Sequence, residues 1–142
     1  MSDRQSSFNA SWWASDAAGL VICGVATMAR GVSYLPGFVS SDRAPVHYLE
    51  GILQPHFWAG IWILVGVLCL VAVAVPRITP IAVGLVVGLH ASWGTSFMAS
   101  QFFDDRLGRA WVSALSYYLI CLLVIWAFGR GRSSEIRFTR QE

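Results

Sequence analysis

Four apolar stretches, each about 20 residues long, constrain this sequence more than any other feature. They cover residues 17–35, 56–75, 80–100 and 109–128, and Arg30 interrupts the first of them. A helix crosses the roughly 30 Å hydrocarbon core of a bilayer in about 20 residues. Within lipid, only helices and closed barrels satisfy the backbone, and these runs lack the alternation of barrel strands. The sequence therefore predicts an all-α, polytopic membrane protein with four transmembrane helices in an antiparallel bundle.

Composition supports this class and excludes several others. Only 13% of the 142 residues are charged, about half the fraction that soluble domains carry. This excludes a soluble enzyme, a disordered chain, a coiled coil and a disulfide scaffold. The net charge of +2 is too small to indicate nucleic-acid binding. Three cysteines (Cys23, Cys69 and Cys121) lie in apolar runs without a CxxC pair, and they are expected to be small buried hydrophobic side chains.

The predicted organisation has three parts: a polar N-terminal segment at 1–16, a transmembrane domain at 17–128, and an Arg-rich tail at 129–142. The N-terminus lacks the pattern of a cleavable signal peptide, so the first apolar segment is expected to stay in the mature protein. Within the first loop, residues 45–54 place Val46, Leu49 and Leu53 at the spacing of one helical face. This predicts either a short amphipathic helix on the membrane surface or an ordered loop.

Arginine positions predict the orientation of the chain. Six arginines lie on one side of the predicted membrane and four on the other, and four of the six are in the C-terminal tail. Both termini are therefore expected in the cytoplasm, with the protein in a bacterial cytoplasmic membrane. Tryptophans near the segment ends match the aromatic belts of membrane proteins. They are Trp12, Trp13, Trp58, Trp62, Trp111 and Trp126.

Small residues recur every four positions along the third segment. They are Gly84, Gly88, Ser92, Ser96 and Ser100. Such a ridge lets two helix backbones approach closely in lipid. The pattern predicts either a self-association face or tight packing within one four-helix bundle.

Polar side chains inside the apolar segments are the other candidates for function. His90 lies near mid-membrane, where an ionisable group is costly. It could be a proton relay, a haem ligand or a hydrogen-bonded core residue. Arg30 could reach the membrane interface and pair with Glu50, Asp104 or Asp105, or these groups could form an anion or headgroup site above His90. His56 and His90 differ in depth by about 15 Å, which does not suit two axial ligands of one haem. No catalytic set or metal motif is apparent, so neither an enzymatic activity nor a cofactor is predicted.

Two segments, RGVSYL at 30–35 and WAGIW at 58–62, flank a loop that contains Pro and Glu. In this half the chain resembles the small four-helix membrane proteins of actinobacterial phages. That resemblance implies a holin-like role, in which a protein assembles in the membrane and permeabilises it, with lipids and further copies as partners. Two other hypotheses remain. One is a redox or small-ligand protein that uses His90 to hold haem or quinone, and the other is an accessory subunit of a larger membrane complex.

Overall fold

The computed structural model describes residues 15–38, 40, 44–103 and 108–138, with side chains up to residue 130. Its regular elements are helices, as the all-α prediction requires. They are α1 (Asp16–Val32), α2 (Tyr48–Ile52), α3 (Pro55–Ala74), α4 (Thr79–Phe103) and α5 (Ala110–Phe138), with a 3-10 turn at Pro76–Ile78. The last helix continues to Phe138, well into the predicted tail. Residues 1–14, and with them Trp12 and Trp13, lie outside the described residues.

Among the described residues, three helical stretches are long and apolar enough to cross a membrane: Pro55–Ala74, Pro76–Phe103 and Ala110–Arg130. This finding is consistent with a membrane protein. The first predicted segment forms α1, which has 17 residues and carries Asp16 in its first turn and Arg30 in its last. It is therefore shorter than the other three long helices, and it has a charged residue near each end.

The helix ends follow the local sequence. Ser15 caps α1, because its Oγ accepts a hydrogen bond from the Ala18 N–H at 3.3 Å. Pro55 occupies the first turn of α3, where its missing N–H costs nothing. Pro76 begins the 3-10 turn that joins α3 to α4. The end of the bundle at which this tight connection lies is called the hairpin end below.

Glycines on α1 and α3 allow these two helices to touch backbone to backbone. A Cβ added at Gly66 would lie 2.7 Å from the Gly24 carbonyl oxygen, and one added at Gly31 would lie 2.9 Å from the Ala59 carbonyl oxygen. These pairs also show that α1 and α3 run in opposite directions. Close approach through small residues was expected on α4, but within this chain it occurs between α1 and α3.

The interior contains two apolar clusters. One lies toward the hairpin end and includes Leu20, Cys69, Val86 and Val124. The other lies toward the end at which α2 packs, called the α2 end below, and is built around Trp62 and Trp93. The three cysteines are free thiols; Cys69 and Cys121 are buried and Cys23 is half-buried.

The small residues of α4 divide between two environments. Ser96 and Ser100 are buried, whereas Gly84, Gly88 and Ser92 are exposed. A Cβ added at Gly84 or Gly88 would meet no atom within 4 Å. No helix of the described chain covers the part of the ridge nearer the hairpin end, which consists of Gly84, Gly88 and Ser92. Tight packing within one bundle therefore does not account for these three residues. Self-association remains a prediction.

The short helix of the first loop is present, but its polar side chains do not face outward as those of an amphipathic surface helix would. His47 and Glu50, which flank and belong to α2, are buried, whereas Val46 and Leu53 are exposed. His47 turns inward, where it meets the Ser96 hydroxyl of α4. Leu49 is half-buried against the second apolar cluster.

Candidate polar site between the helices

Arg30 lies in the last turn of α1 and turns toward aromatic side chains. Its Nη2 donates a hydrogen bond to the Tyr34 hydroxyl at 3.3 Å. The guanidinium carbon is 5.2 Å from the centre of the Tyr34 ring and 5.7 Å from that of Tyr117 on α5. Both distances suit cation–π attraction, which strengthens where water is excluded. These contacts favour an interior site for Arg30 over a side chain that only reaches along the surface to the interface.

Tyr34 connects Arg30 to α4. Its hydroxyl oxygen accepts one hydrogen bond from Arg30 and another from the Trp93 indole N–H, at 3.2 Å. Tyr34 is 4% exposed and Trp93 is fully buried, so both bonds are shielded from water. Tyr34 was not among the residues predicted for this site. The sequence feature that could have indicated it is its position four residues after Arg30, a spacing at which side chains on a helix meet.

Ser96 fixes α2 against α4. Its Oγ accepts a hydrogen bond from the Leu49 backbone N–H at 3.0 Å and lies 2.9 Å from the His47 Nδ1. On the other side, the Trp58 indole N–H donates to the Leu49 carbonyl oxygen at 3.0 Å. One residue of α2 is therefore held by both α3 and α4. Ser96, predicted as a helix-packing residue, packs against this short helix.

Glu50 is the acidic member of the site. Its Oε2 accepts a hydrogen bond from the Val46 backbone N–H at 2.7 Å, which closes the first turn of α2. The side chain is 7% exposed and lies beside Tyr34, whose hydroxyl also accepts the Arg30 hydrogen bond. The other proposed acidic partners, Asp104 and Asp105, lie outside the described residues.

His90 is buried on α4 and held in one orientation. Its Nδ1 lies 2.8 Å from the Val86 carbonyl oxygen. Because a carbonyl only accepts, Nδ1 carries the hydrogen, which leaves Nε2 as the lone-pair nitrogen of the neutral ring. The His90 and Trp62 rings meet edge to face with their centroids 5.0 Å apart, and the His90 and Tyr117 ring centroids are 6.0 Å apart.

Together these contacts close a ring of side chains drawn from four parts of the chain: α1 with the turn after it, α3, α4 and α5. Trp62 and Trp93 complete it at a centroid distance of 5.1 Å. The members, in order of contact, are Arg30, Tyr117, His90, Trp62, Trp93 and Tyr34. Of the three residues predicted as a polar site, Arg30 and His90 belong to this ring and Glu50 lies beside it.

Two tryptophans assigned to the aromatic belt are core residues instead. Trp58 is 8% exposed and Trp62 is fully buried, whereas Trp111 and Trp126 are exposed as a belt requires. The helical periodicity explains the difference, since positions 58 and 62 lie on the α3 face that also carries Val65 and Cys69. The belt assignment is therefore wrong for Trp58 and Trp62.

Three polar atoms near this site are buried without a hydrogen-bond partner in the structure. They are the Thr27 Oγ1, the Arg30 Nε and the Trp62 Nε1. Each can donate a hydrogen, and a buried donor without an acceptor costs about 1–3 kcal/mol. The described residues supply no acceptor for these donors.

The histidines do not form a metal centre. Among the described residues, no group of three potential metal ligands lies together. His47 contacts Phe97 at a centroid distance of 4.4 Å, and His56 lies against Phe57 at 4.3 Å at the start of α3. His47 also contacts Trp93 at a centroid distance of 5.3 Å, so it lies against the ring of side chains that contains His90.

Comparison with protein-family models, with curated proteins and with solved structures found no match for this chain.

Proposed function

We propose that all four long helices span the membrane as an antiparallel bundle, with both termini in the cytoplasm of a bacterium. The glycine contacts support α1 as the fourth span, since they join it to α3 along its length. Arg30 lies at the α2 end of α1, where cation–π contacts with Tyr34 and Tyr117 stabilise its charge. On this topology the arginine-rich tail lies on the cytoplasmic side, as the distribution of arginines favours.

Within that bilayer, the protein acts by assembling laterally, in the manner of a holin, and not as an enzyme. One observation carries this proposal: α4 exposes Gly84, Gly88 and Ser92 on a face that no helix of the described chain covers. Glycine within a helix costs roughly 0.5–1 kcal/mol relative to alanine, and close backbone packing is a common reason to retain it in membranes. Within the chain, close backbone contacts at glycines join α1 to α3. Gly84 and Gly88 on α4 make no such contact, so they are suited to pack against a second molecule.

The polar site fits this proposal as a support for the fold. Its hydrogen bonds hold α2 against α3 and α4, and the ring connects α1 to α5. A stable subunit with one open small-residue face is what lateral assembly requires.

Inducible expression in a bacterial host tests the function directly. Membrane potential and growth are followed against time, together with release of a co-expressed muralytic enzyme. We expect a delayed, abrupt collapse of the potential with release of that enzyme. Continued growth with an intact potential, at membrane levels verified by immunoblot, would contradict the proposal.

Binding of a small acceptor molecule is a second candidate. The unpartnered donors of Thr27, Arg30 and Trp62 favour it. Its test is the absorption spectrum of the purified protein together with titration of a soluble quinone followed by Trp fluorescence. A chromophore, or saturable quenching that Trp62→Phe removes, would support this function; a colourless protein with no quenching would contradict it.

A further inference from the structure

Two of the three cysteines lie on the pair of helices whose backbones touch. Cys23 precedes Gly24 on α1, and Cys69 follows Gly66 by three residues on α3. Side chains usually keep helix axes roughly 8–10 Å apart, but no side chain separates α1 from α3 where these glycines meet. A disulfide needs two Cα atoms within about 7 Å of each other. The glycine contact therefore brings a cysteine of one helix within reach of a cysteine of the other.

The two cysteines also have the same depth along the bundle. A Cβ added at Gly66 would lie 2.7 Å from the Gly24 carbonyl oxygen and 2.9 Å from the Met28 backbone nitrogen. Because α1 and α3 run in opposite directions, the first contact places Cys69 level with position 21 of α1, and the second places it level with position 25. Cys23 is midway between these limits, within about 3 Å of either at 1.5 Å per residue.

Both side chains belong to the same apolar environment. Cys69 is a buried member of the cluster toward the hairpin end, and Cys23 packs against that cluster. The two thiols are near enough to interact electrostatically. Cys121 has a different neighbour, since its Sγ donates a hydrogen bond to the Val87 carbonyl oxygen of α4 at 3.4 Å. The fold thus pairs the thiols of α1 and α3.

A pair of thiols without further ligands is suited to disulfide chemistry. Among the described residues, no group of three potential metal ligands lies together, so a zinc or iron–sulfur site has no ligand set here. Oxidation of the pair breaks two S–H bonds and forms one S–S bond, and it releases two protons and two electrons. A quinone dissolved in the bilayer accepts both protons and both electrons and becomes a quinol. Cys23 is half-buried whereas Cys69 is buried, so such an oxidant reaches the pair at Cys23.

We propose that Cys23 and Cys69 are a redox pair, which a membrane quinone converts to a disulfide that fixes α1 to α3. The inference goes beyond the proposed assembly, because the contact lies inside one subunit. The reaction needs only an encounter with the quinone in the bilayer, not a quinone bound at the polar site. The disulfide closes a loop from position 23 to position 69 and thereby restricts the unfolded chain, so it should stabilise the subunit.

Counting free thiols in native membranes tests the pair. Membranes that contain the reduced, full-length chain are treated with a short-chain quinone in the absence of oxygen. They are then denatured and labelled with a maleimide polymer that adds one gel shift for each free thiol. The reduced chain has three free thiols, and we expect one after treatment, without disulfide-linked dimers. Mass spectrometry of a digest should find the peptides of Cys23 and Cys69 joined, with one quinol formed for each disulfide.

Single substitutions identify the partners. Cys121→Ala is the matched control, and it should lose its two remaining thiols on quinone treatment as the wild type does. Cys23→Ala and Cys69→Ala should each keep both remaining thiols. Membrane levels of all variants are compared by immunoblot, and the peptide map of the wild-type chain tests the pairing without any substitution.

Two further measurements connect the disulfide to the helix contact. Gly66→Ala pushes the backbones apart and should slow disulfide formation severalfold, whereas Gly60→Ala, with open space around it, should not. The oxidised wild-type chain should also unfold at a higher fraction of sodium dodecyl sulfate than the reduced chain.

Each contrary result removes a defined part of the inference. Three labelled thiols after quinone treatment, or a disulfide that involves Cys121 or a second copy, would overturn the pair. A disulfide without quinol would exclude the quinone as the oxidant. Equal unfolding midpoints for the oxidised and reduced chains would show that the bond does not fix α1 to α3, and an unchanged rate in Gly66→Ala would contradict the role of the glycine contact.

Discussion

At the scale of single residues, the site depends on groups whose role is visible only across the bundle. Arg30 and His90 stand out in the sequence because charged and ionisable side chains are rare in apolar segments, and Glu50 is a possible acidic partner in the loop between two of them. Tyr34 and Trp93 do not stand out, since aromatic residues at such positions match ordinary packing. Their hydrogen bond joins residues 59 positions apart, and no local pattern encodes it. The sequence thus indicated the charges but not the aromatic residues that hold them.

Replacing Tyr34 by Phe removes the acceptor shared by Arg30 and Trp93. Both donors would then be left without a partner in a shielded environment, so we expect a loss of about 1–3 kcal/mol in the free energy of unfolding. Tyr118→Phe is the matched control, because the Tyr118 hydroxyl bonds to Thr95 on the exposed side of the molecule at 3.1 Å. The measurement is unfolding in mixed micelles by titration with sodium dodecyl sulfate. Equal losses for the two variants would show that Tyr34 is not a central acceptor.

At the scale of elements, the length of each apolar stretch predicts that a long helix is present. It does not predict which helices pack against each other. The α3 and α4 boundaries lie within a few residues of the predicted ones, because proline marks the turn between them. Which helices touch most closely depends on where glycines from distant segments meet. Gly24, Gly31 and Gly66 are not spaced as a GxxxG motif, and their contact became apparent only with the fold.

The contact between α1 and α3 should be sensitive to one methyl group. A Cβ at Gly66 would collide with the Met28 Cγ and lie 2.7 Å from the Gly24 carbonyl oxygen, and the backbone cannot yield as a flexible side chain would. We expect Gly66→Ala to lower the free energy of unfolding by about 1–3 kcal/mol. Gly60→Ala, on the same helix with open space around it, should be neutral or slightly stabilising. A neutral Gly66→Ala would contradict the backbone contact.

The docking of α2 should depend on the Ser96 hydroxyl. Ser96→Ala removes the acceptor of the Leu49 N–H and the partner of His47, so α2 should open more often. We expect the amides of Tyr48–Ile52 to exchange with deuterium about tenfold faster, as measured by mass spectrometry. Ser92→Ala is the control, since its hydroxyl bonds only to the Gly88 carbonyl oxygen of the same helix, at 2.8 Å. Unchanged exchange in Ser96→Ala would mean that the Trp58 hydrogen bond and apolar contacts hold α2 without the Ser96 hydroxyl.

At the scale of the whole molecule, the chain uses its small residues in two ways. Gly24, Gly31 and Gly66 are covered where α1 meets α3 and hold the subunit together, whereas Gly84 and Gly88 on α4 are open. Apolar length alone gives the class of protein, because the bilayer admits few structures. Whether a small-residue ridge faces its own chain or another depends on the rotation of α4. That rotation follows from the burial of Val86, His90, Trp93 and Phe97 on the opposite face.

The open face of α4 leads to the last prediction, which concerns permeabilisation. Gly88→Leu puts a large side chain where a second copy would approach, so we expect the collapse of membrane potential to be delayed severalfold or abolished. The subunit itself should fold normally, because an added Cβ at this position meets nothing within 4 Å. Gly60→Leu is the control for a large residue on an open helix surface elsewhere, and it should leave the timing unchanged. His90→Ala, at a buried site away from this face, should also still permit collapse. If His90→Ala abolished the collapse and Gly88→Leu did not, the activity would belong to the polar site and not to assembly through α4.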